Sequence, residues 1–178
     1  MALQKLGAGA ISSLSQDHPN ARSINRVFDS TRDAEIRRYD WAFAITRASV
    51  AADASETLWG GHNKYALPAD FARLLLDDES DTIVDWRIEG RFIITDDAAP
   101  LEFRYLARVD DPTPFDPLFD EAFACKLAIE CCQSITQSTA KKQDLKDDYK
   151  FAINEAKRLG SIERAEKVDQ YTVRIISK

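Results

Sequence analysis

The sequence predicts an α+β protein: a mainly α-helical bundle, built from a long antiparallel helical hairpin and N-terminal helices, with an inserted small antiparallel β-sheet. Three observations predict it. Pro117–Ile135 is apolar around most of a helix, residues 141–159 keep an apolar stripe at helical spacing, and several stretches between 41 and 112 alternate apolar and polar residues instead. With 178 residues the chain is long enough for one domain whose core needs no disulfide or metal. We divide it into a helical body (1–40 and 113–168), a β insert (41–112) and a C-terminal tail (169–178).

Composition narrows the function. Lys and Arg number 24 against 30 Asp and Glu, a formal charge of -6, which argues against a protein that binds nucleic acid by neutralising phosphates. An acidic surface suits a conduit past which DNA moves better than a reader of DNA. The apolar fraction of 44% is ordinary for a folded chain. Residues 1–14 lack the basic start and apolar run of a signal peptide, so assembly in a cytoplasm is expected.

In chain order, residues 2–6 predict a short helix ended by Gly7, and 8–15 a loop. Asp17 is placed to cap a helix over 20–39 with Pro19 in its first turn; Ile24, Val27, Phe28 and Thr31 form the inner stripe. Trp41, Phe43 and Ile45 alternate, which favours a strand, although the Ala content between them leaves a helix possible. Pro68 makes Leu67 extended, with a short turn or helix over 70–74 before Leu75 and Leu76 return to strand. The acidic run at Asp77, Asp78, Glu79 and Asp81 reads as an exposed turn. Residues 83–87 and 91–95 predict strands joined by a tight turn at Glu89-Gly90, and 101–109 predicts a half-buried third strand of one meander. Pro112, Pro114 and Pro117 stiffen the connector into the core helix. Residues 141–159 give the second long helix, with Gly160 as its C-cap, and 161–168 a further short helix.

Chemistry is sparse. There is no glycine-rich phosphate loop, no H-E-x-x-H and no G-x-S-x-G, and His18 and His62 stand alone in predicted loops. Cys125, Cys131 and Cys132 share one helix; Cys125 and Cys132 lie roughly 10 Å apart along it, too far for a disulfide. They read as small core residues. Trp59, Trp86 and Tyr105 read as core or interface residues rather than platforms for bases. No catalytic, cofactor-binding or metal site is expected, and no cofactor.

The motifs Ala2-Leu3-x-x-Leu6-Gly7, Ile11-x-Ser13-Leu14, Asn20-Ala21-Arg22, Trp41-Ala-Phe-Ala, Tyr65-Ala-Leu-Pro-Ala-Asp-Phe-Ala-Arg-Leu, Trp86-Arg-Ile-Glu-Gly-Arg, Arg104-Tyr105 and Phe115-Asp-Pro-Leu-Phe-x-Glu-Ala come in that order. Together they make residues 1–160 resemble the tail tubular protein A, or head-to-tail adaptor, family of tailed bacteriophages. Where that family commonly has Pro-Trp-Asn-Phe, this chain has Asp40-Trp41-Ala42-Phe43, and residues 161–178 match poorly. The resemblance implies a structural virion protein that forms a dodecameric ring beneath the portal protein. It also implies an extended channel for phage DNA and a platform for the next tail component, a nozzle or tail tube protein. A virion-associated peptidoglycan hydrolase is the alternative, since some relatives have been suggested to degrade peptidoglycan.

Two surfaces follow. The β insert leaves strand edges, so Arg87 and Arg91 are expected at a ring or tail contact. In the tail, Tyr171, Val173 and Ile175 alternate with Thr172, Arg174 and Ile176. Tyr171, Val173, Ile175 and Ile176 are therefore expected to dock on the portal, by strand addition or in an apolar groove. The other reading has this segment folding back on its own domain.

Overall fold

Pro117–Ile135 forms α3, with the bounds its sequence predicts, in a computed structural model that describes residues 1–54, 62–75, 83 and 85–164. Pro117 opens it, and the Asp116 carboxylate accepts from the backbone N–H of Leu118 (2.8 Å) and Phe119 (3.3 Å), an N-cap that satisfies two otherwise orphaned donors. Ten of its residues are buried, from Phe119 to Cys132, around almost the whole circumference. Such a helix has to be packed on several sides.

The described residues fall into two compact units: 1–35 with 113–164, and 36–112. In the first, α1 (Ala2–Leu6) and α4 (Thr139–Arg164) both pack on α3. Helix α2 (Pro19–Arg38) adds Phe28 edge-on to Phe123 with centroids 5.4 Å apart, and its last three residues count with the second unit. Phe119 stacks on Phe123 at 5.7 Å and meets Phe115 edge-on at 4.9 Å. From α4, Leu145, Ala152, Ile153 and Ala156 are buried, the stripe its periodicity predicts. Two buried polar groups are tied in as well: the Tyr149 hydroxyl donates to Glu35 Oε2 at 2.6 Å, and Arg32 pairs with Asp29 and Asp33.

The second unit holds two antiparallel three-stranded sheets. One runs β1 (Ile45–Val50), β6 (Leu101–Ala107), β3 (Phe71–Leu75); the other runs β2 (Asn63–Ala66), β5 (Phe92–Thr95), β4 (Arg87–Glu89). Tyr65 and Ile93 from one sheet join Leu74, Leu101, Phe103 and Tyr105 from the other in a single apolar cluster. The chain is thus mixed α and β.

Several expectations are corrected. The single β-sheet is two, because β6 pairs with β1 and β3 rather than with the β4–β5 hairpin. Trp41 does not begin a strand: Ala42–Ala44 make one turn of 3-10 helix, which buries Trp41 and sets its ring on Tyr39 (5.2 Å), and β1 starts at Ile45. Phe71–Leu75 is strand, where local propensity favoured a turn or helix. Pairing with β6 overrides that propensity, as does Arg37, whose guanidinium donates to the Ala72 carbonyl. The hairpin strand is shorter than 83–87 and shifted to Arg87–Glu89; Asp85 just before it takes φ 46°. At the turn, Gly90 has φ 59°, as expected of a tight two-residue loop. Helix α2 is capped by His18, whose Nδ1 accepts from the Asn20 N–H at 3.1 Å, while Asp17 pairs with Arg22. Helix α4 runs through Gly160 to Arg164, so Gly160 is no cap. The acidic run at 77–81 and the tail 169–178 lie outside the described residues.

Candidate interaction surfaces

The β4–β5 hairpin carries both arginines expected at a contact, and it uses them differently. Arg87 is exposed, and its Nε donates to Glu89 Oε1 at 2.6 Å. On a pleated strand the two point the same way, so the pair is a surface pair of small energetic weight. Arg91 instead donates to the backbone carbonyl of Pro68 and, at 3.4 Å, to that of Leu67; Leu67 N–H donates back to the Arg91 carbonyl at 2.8 Å. Arg91 therefore fastens the link between β2 and β3, and replacing it disturbs the unit itself.

Beside them stand Trp86, which the sequence reads as a core or interface residue, and Ile88, which sequence reasoning missed. Trp86 is 39% exposed and Ile88 40%, which places two large apolar side chains at an edge strand. Ile88 shares its face with buried Ile93 and Tyr65 and overhangs the end of that row. The strand is three residues long and begins next to the tryptophan, too short to bury either, which the sequence does not show.

A second surface lies in the helical unit. A cleft of about 530 Å³ opens between α1, α3 and α4, floored by Leu118, Cys125 and Ala152 and walled by Phe151. Phe151 is 76% exposed, and Ile162, eleven residues on and so on the same helical face, is 56% exposed. Both lie off the Leu145–Ala156 stripe, and that displacement was legible in the sequence. The cleft rim is acidic. Glu121 is ion-paired with Lys5, Asp147 with Lys150 (2.9 Å) and Glu155 with Arg158 (2.8 Å), while Asp148 is exposed and has no ion pair among the described residues. Hydrogen bonds from Lys150 and Gln143 hold Asp147 below the usual carboxylate range, and the Arg158 guanidinium does the same for Glu155.

The cysteines behave as core residues. All three are buried free thiols; burial pushes Cys131 up to about 11 and raises Cys125, against the pull of nearby Lys5. His62 Nδ1 lies 2.5 Å from Asp96 Oδ1, a partner invisible in sequence. Tyr105 is a core residue. Trp59 and the docking residues Tyr171, Val173, Ile175 and Ile176 lie outside the described residues. No group of three or more metal-ligating side chains occurs among the described residues. Compared with known proteins, the chain matches no family model and no curated protein.

Proposed function

We propose that this chain is a structural virion protein, a head-to-tail adaptor. In this reading it forms a dodecameric ring below the portal, lines a channel through which phage DNA passes, and presents a platform to the next tail component. The observation that carries the reading is the order and spacing of the motifs over residues 1–160. Four of these motifs fall at positions with a structural role. Gly7 ends α1 with φ 70°, Trp41-Ala-Phe-Ala makes the 3-10 turn, Trp86–Arg91 makes the β4 turn, and Phe115–Ala122 starts the core helix. Within the helical unit, the finer architecture we propose is an antiparallel α3–α4 hairpin with the N-terminal helices laid on it, its two members joined by residues 136–138 alone.

In this assembly the exposed hairpin residues Trp86, Arg87 and Ile88 meet a ring neighbour or the tail component, and Tyr171, Val173, Ile175 and Ile176 dock on the portal. The role is structural rather than catalytic, and the protein resides in the virion neck after assembly in the host cytoplasm. A hydrolase acting on peptidoglycan needs one carboxylic acid kept protonated near neutral pH. Within the cleft, Asp147 and Glu155 are shifted the opposite way, and Asp120, which burial and the charge of Asp116 raise, lies outside the cleft lining.

Mixing the purified chain with portal tests the reading. A stoichiometric ring complex is expected, visible as one species in size-exclusion chromatography with light scattering. Trp86→Ala with Ile88→Glu should leave a folded subunit whose tail assembly fails, and deletion of 170–178 should remove portal association. If the intact chain forms no complex with portal, or lowers peptidoglycan turbidity, the adaptor reading is wrong.

A further inference from the structure

The cleft between α1, α3 and α4 has an apolar floor, an aromatic wall at Phe151 and an excess of acid, and we infer that it receives residues 171–178 of the same chain in the free subunit. The inference concerns the isolated protein and stands whether or not the adaptor reading holds.

Charge, pattern and reach agree on this occupant. The first is charge. Glu121, Asp147, Asp148 and Glu155 face Lys5, with Lys150 and Arg158 pairing from outside the lining, so four carboxylates meet three cations. Residues 171–178 contain Arg174 and Lys178 and no acidic side chain. The second is pattern. Tyr171, Val173 and Ile175 recur every second residue, so an extended segment turns all three to one side. Leu118, Ala152 and Phe151 offer apolar surface to that side, while Arg174 and Lys178 add positive charge over the acidic rim without entering the floor.

The third is reach. Glu155, at one end of the cleft, stands nine residues before Arg164, about 13 Å along the helix. Residues 165–170 span at most about 20 Å, enough to reverse direction and cover that distance. The extended run 171–175 then occupies about 13 Å, against about 12 Å for α4 between Asp147 and Glu155. Ile162, exposed on the same face, lies along the return path. A tether this short keeps the segment at high effective concentration over the cleft, so weak side-chain contacts suffice. A portal or other partner that captures the segment first has to draw it out.

The test uses isotope-labelled full-length chain at low ionic strength. Backbone order parameters at 171–176 are expected near the rigid value of about 0.8, with nuclear Overhauser contacts between the Val173 or Ile175 methyls and the Phe151 ring. Phe151→Asp, at a site whose exposure spares the core, should drop those order parameters below about 0.6 while the signals of α3 stay in place. Asp148→Lys with Glu155→Lys should loosen the segment in the same direction. The inference is overturned if 171–176 is already below about 0.6 in the native chain. It is equally overturned if the segment is ordered but indifferent to Phe151→Asp. Contacts found only between differently labelled copies would make a second copy the occupant and overturn it too.

Discussion

Tyr105 packs between Phe71 and Phe103 and donates from its hydroxyl to Asp70 Oδ1 at 3.0 Å. Burial first, and then the bond to Asp70 and its negative charge, push the phenol up to about 12, from the ordinary value of 10.0. The sign follows from proton counting. Below pH 10 both folded and unfolded chains keep this proton; between about 10 and 12 only the folded chain does, so stability falls as pH rises through that window. Tyr105→Phe removes the hydrogen bond and should cost about 1–2 kcal/mol at pH 8. That deficit should shrink at pH 11.5, because the variant has no proton to lose there. Urea midpoints at the two pH values check this, and a constant deficit would show that the hydroxyl is not held protonated by the fold.

Among the elements, helices with a strong pattern, the strands at 92–95 and 101–107 and the turn at Gly90 were readable from the sequence, and the grouping of strands into two sheets was not. Pro117–Ile135 and the stripe of α4 needed only local spacing and a capping residue. Phe71–Leu75 failed because its strand state comes from β6, 29 to 36 residues further on, which no local window contains. The two sheets failed for the same reason: alternation marks a strand and says nothing of its neighbour. Of the candidate surfaces, the arginine positions were legible, but Arg91's bond to the Pro68 carbonyl and the cleft beside Phe151 required the fold. Gly160 gives an element-level prediction. It sits inside α4, so Gly160→Ala should stabilise the protein by roughly 0.5–1 kcal/mol. Thermal melting reads the sign. A glycine needed for a left-handed cap would lose stability on the same change, as Gly7 and Gly90, with φ 70° and 59°, should.

For the whole molecule, the formal charge of -6 and scattered apolar exposure decide how it behaves alone. Among the described residues the exposed large apolar side chains are Met1, Trp86, Ile88, Phe151 and Ile162, spread along the chain, whereas stable association buries roughly 800 Å² per partner. No described helix is long and apolar enough to cross a membrane. Light scattering at micromolar concentration should therefore return a monomer near 20.1 kDa. Assembly then depends on a template that presents many copies side by side, where weak contacts add through effective concentration. A stable ring from isolated chain would contradict this.

The interleaving of the two units also sets the order in which they are completed on the ribosome. Lys5 waits for Glu121, Phe28 for Phe123 and Glu35 for Tyr149, so α1 and α2 emerge long before anything that covers them. The second unit, residues 36–112, is 77 residues long (112 − 35) and is complete before α3 begins. At about 5–20 residues per second its synthesis takes about 4–15 s, during which Leu3, Leu6 and Ile24 stay uncovered. The unit that starts second has all its residues first. A nascent chain halted before α3 carries a complete β unit, with α1 and all but the last turn of α2 still lacking their partners on α3 and α4, the kind of surface chaperones and proteases sort.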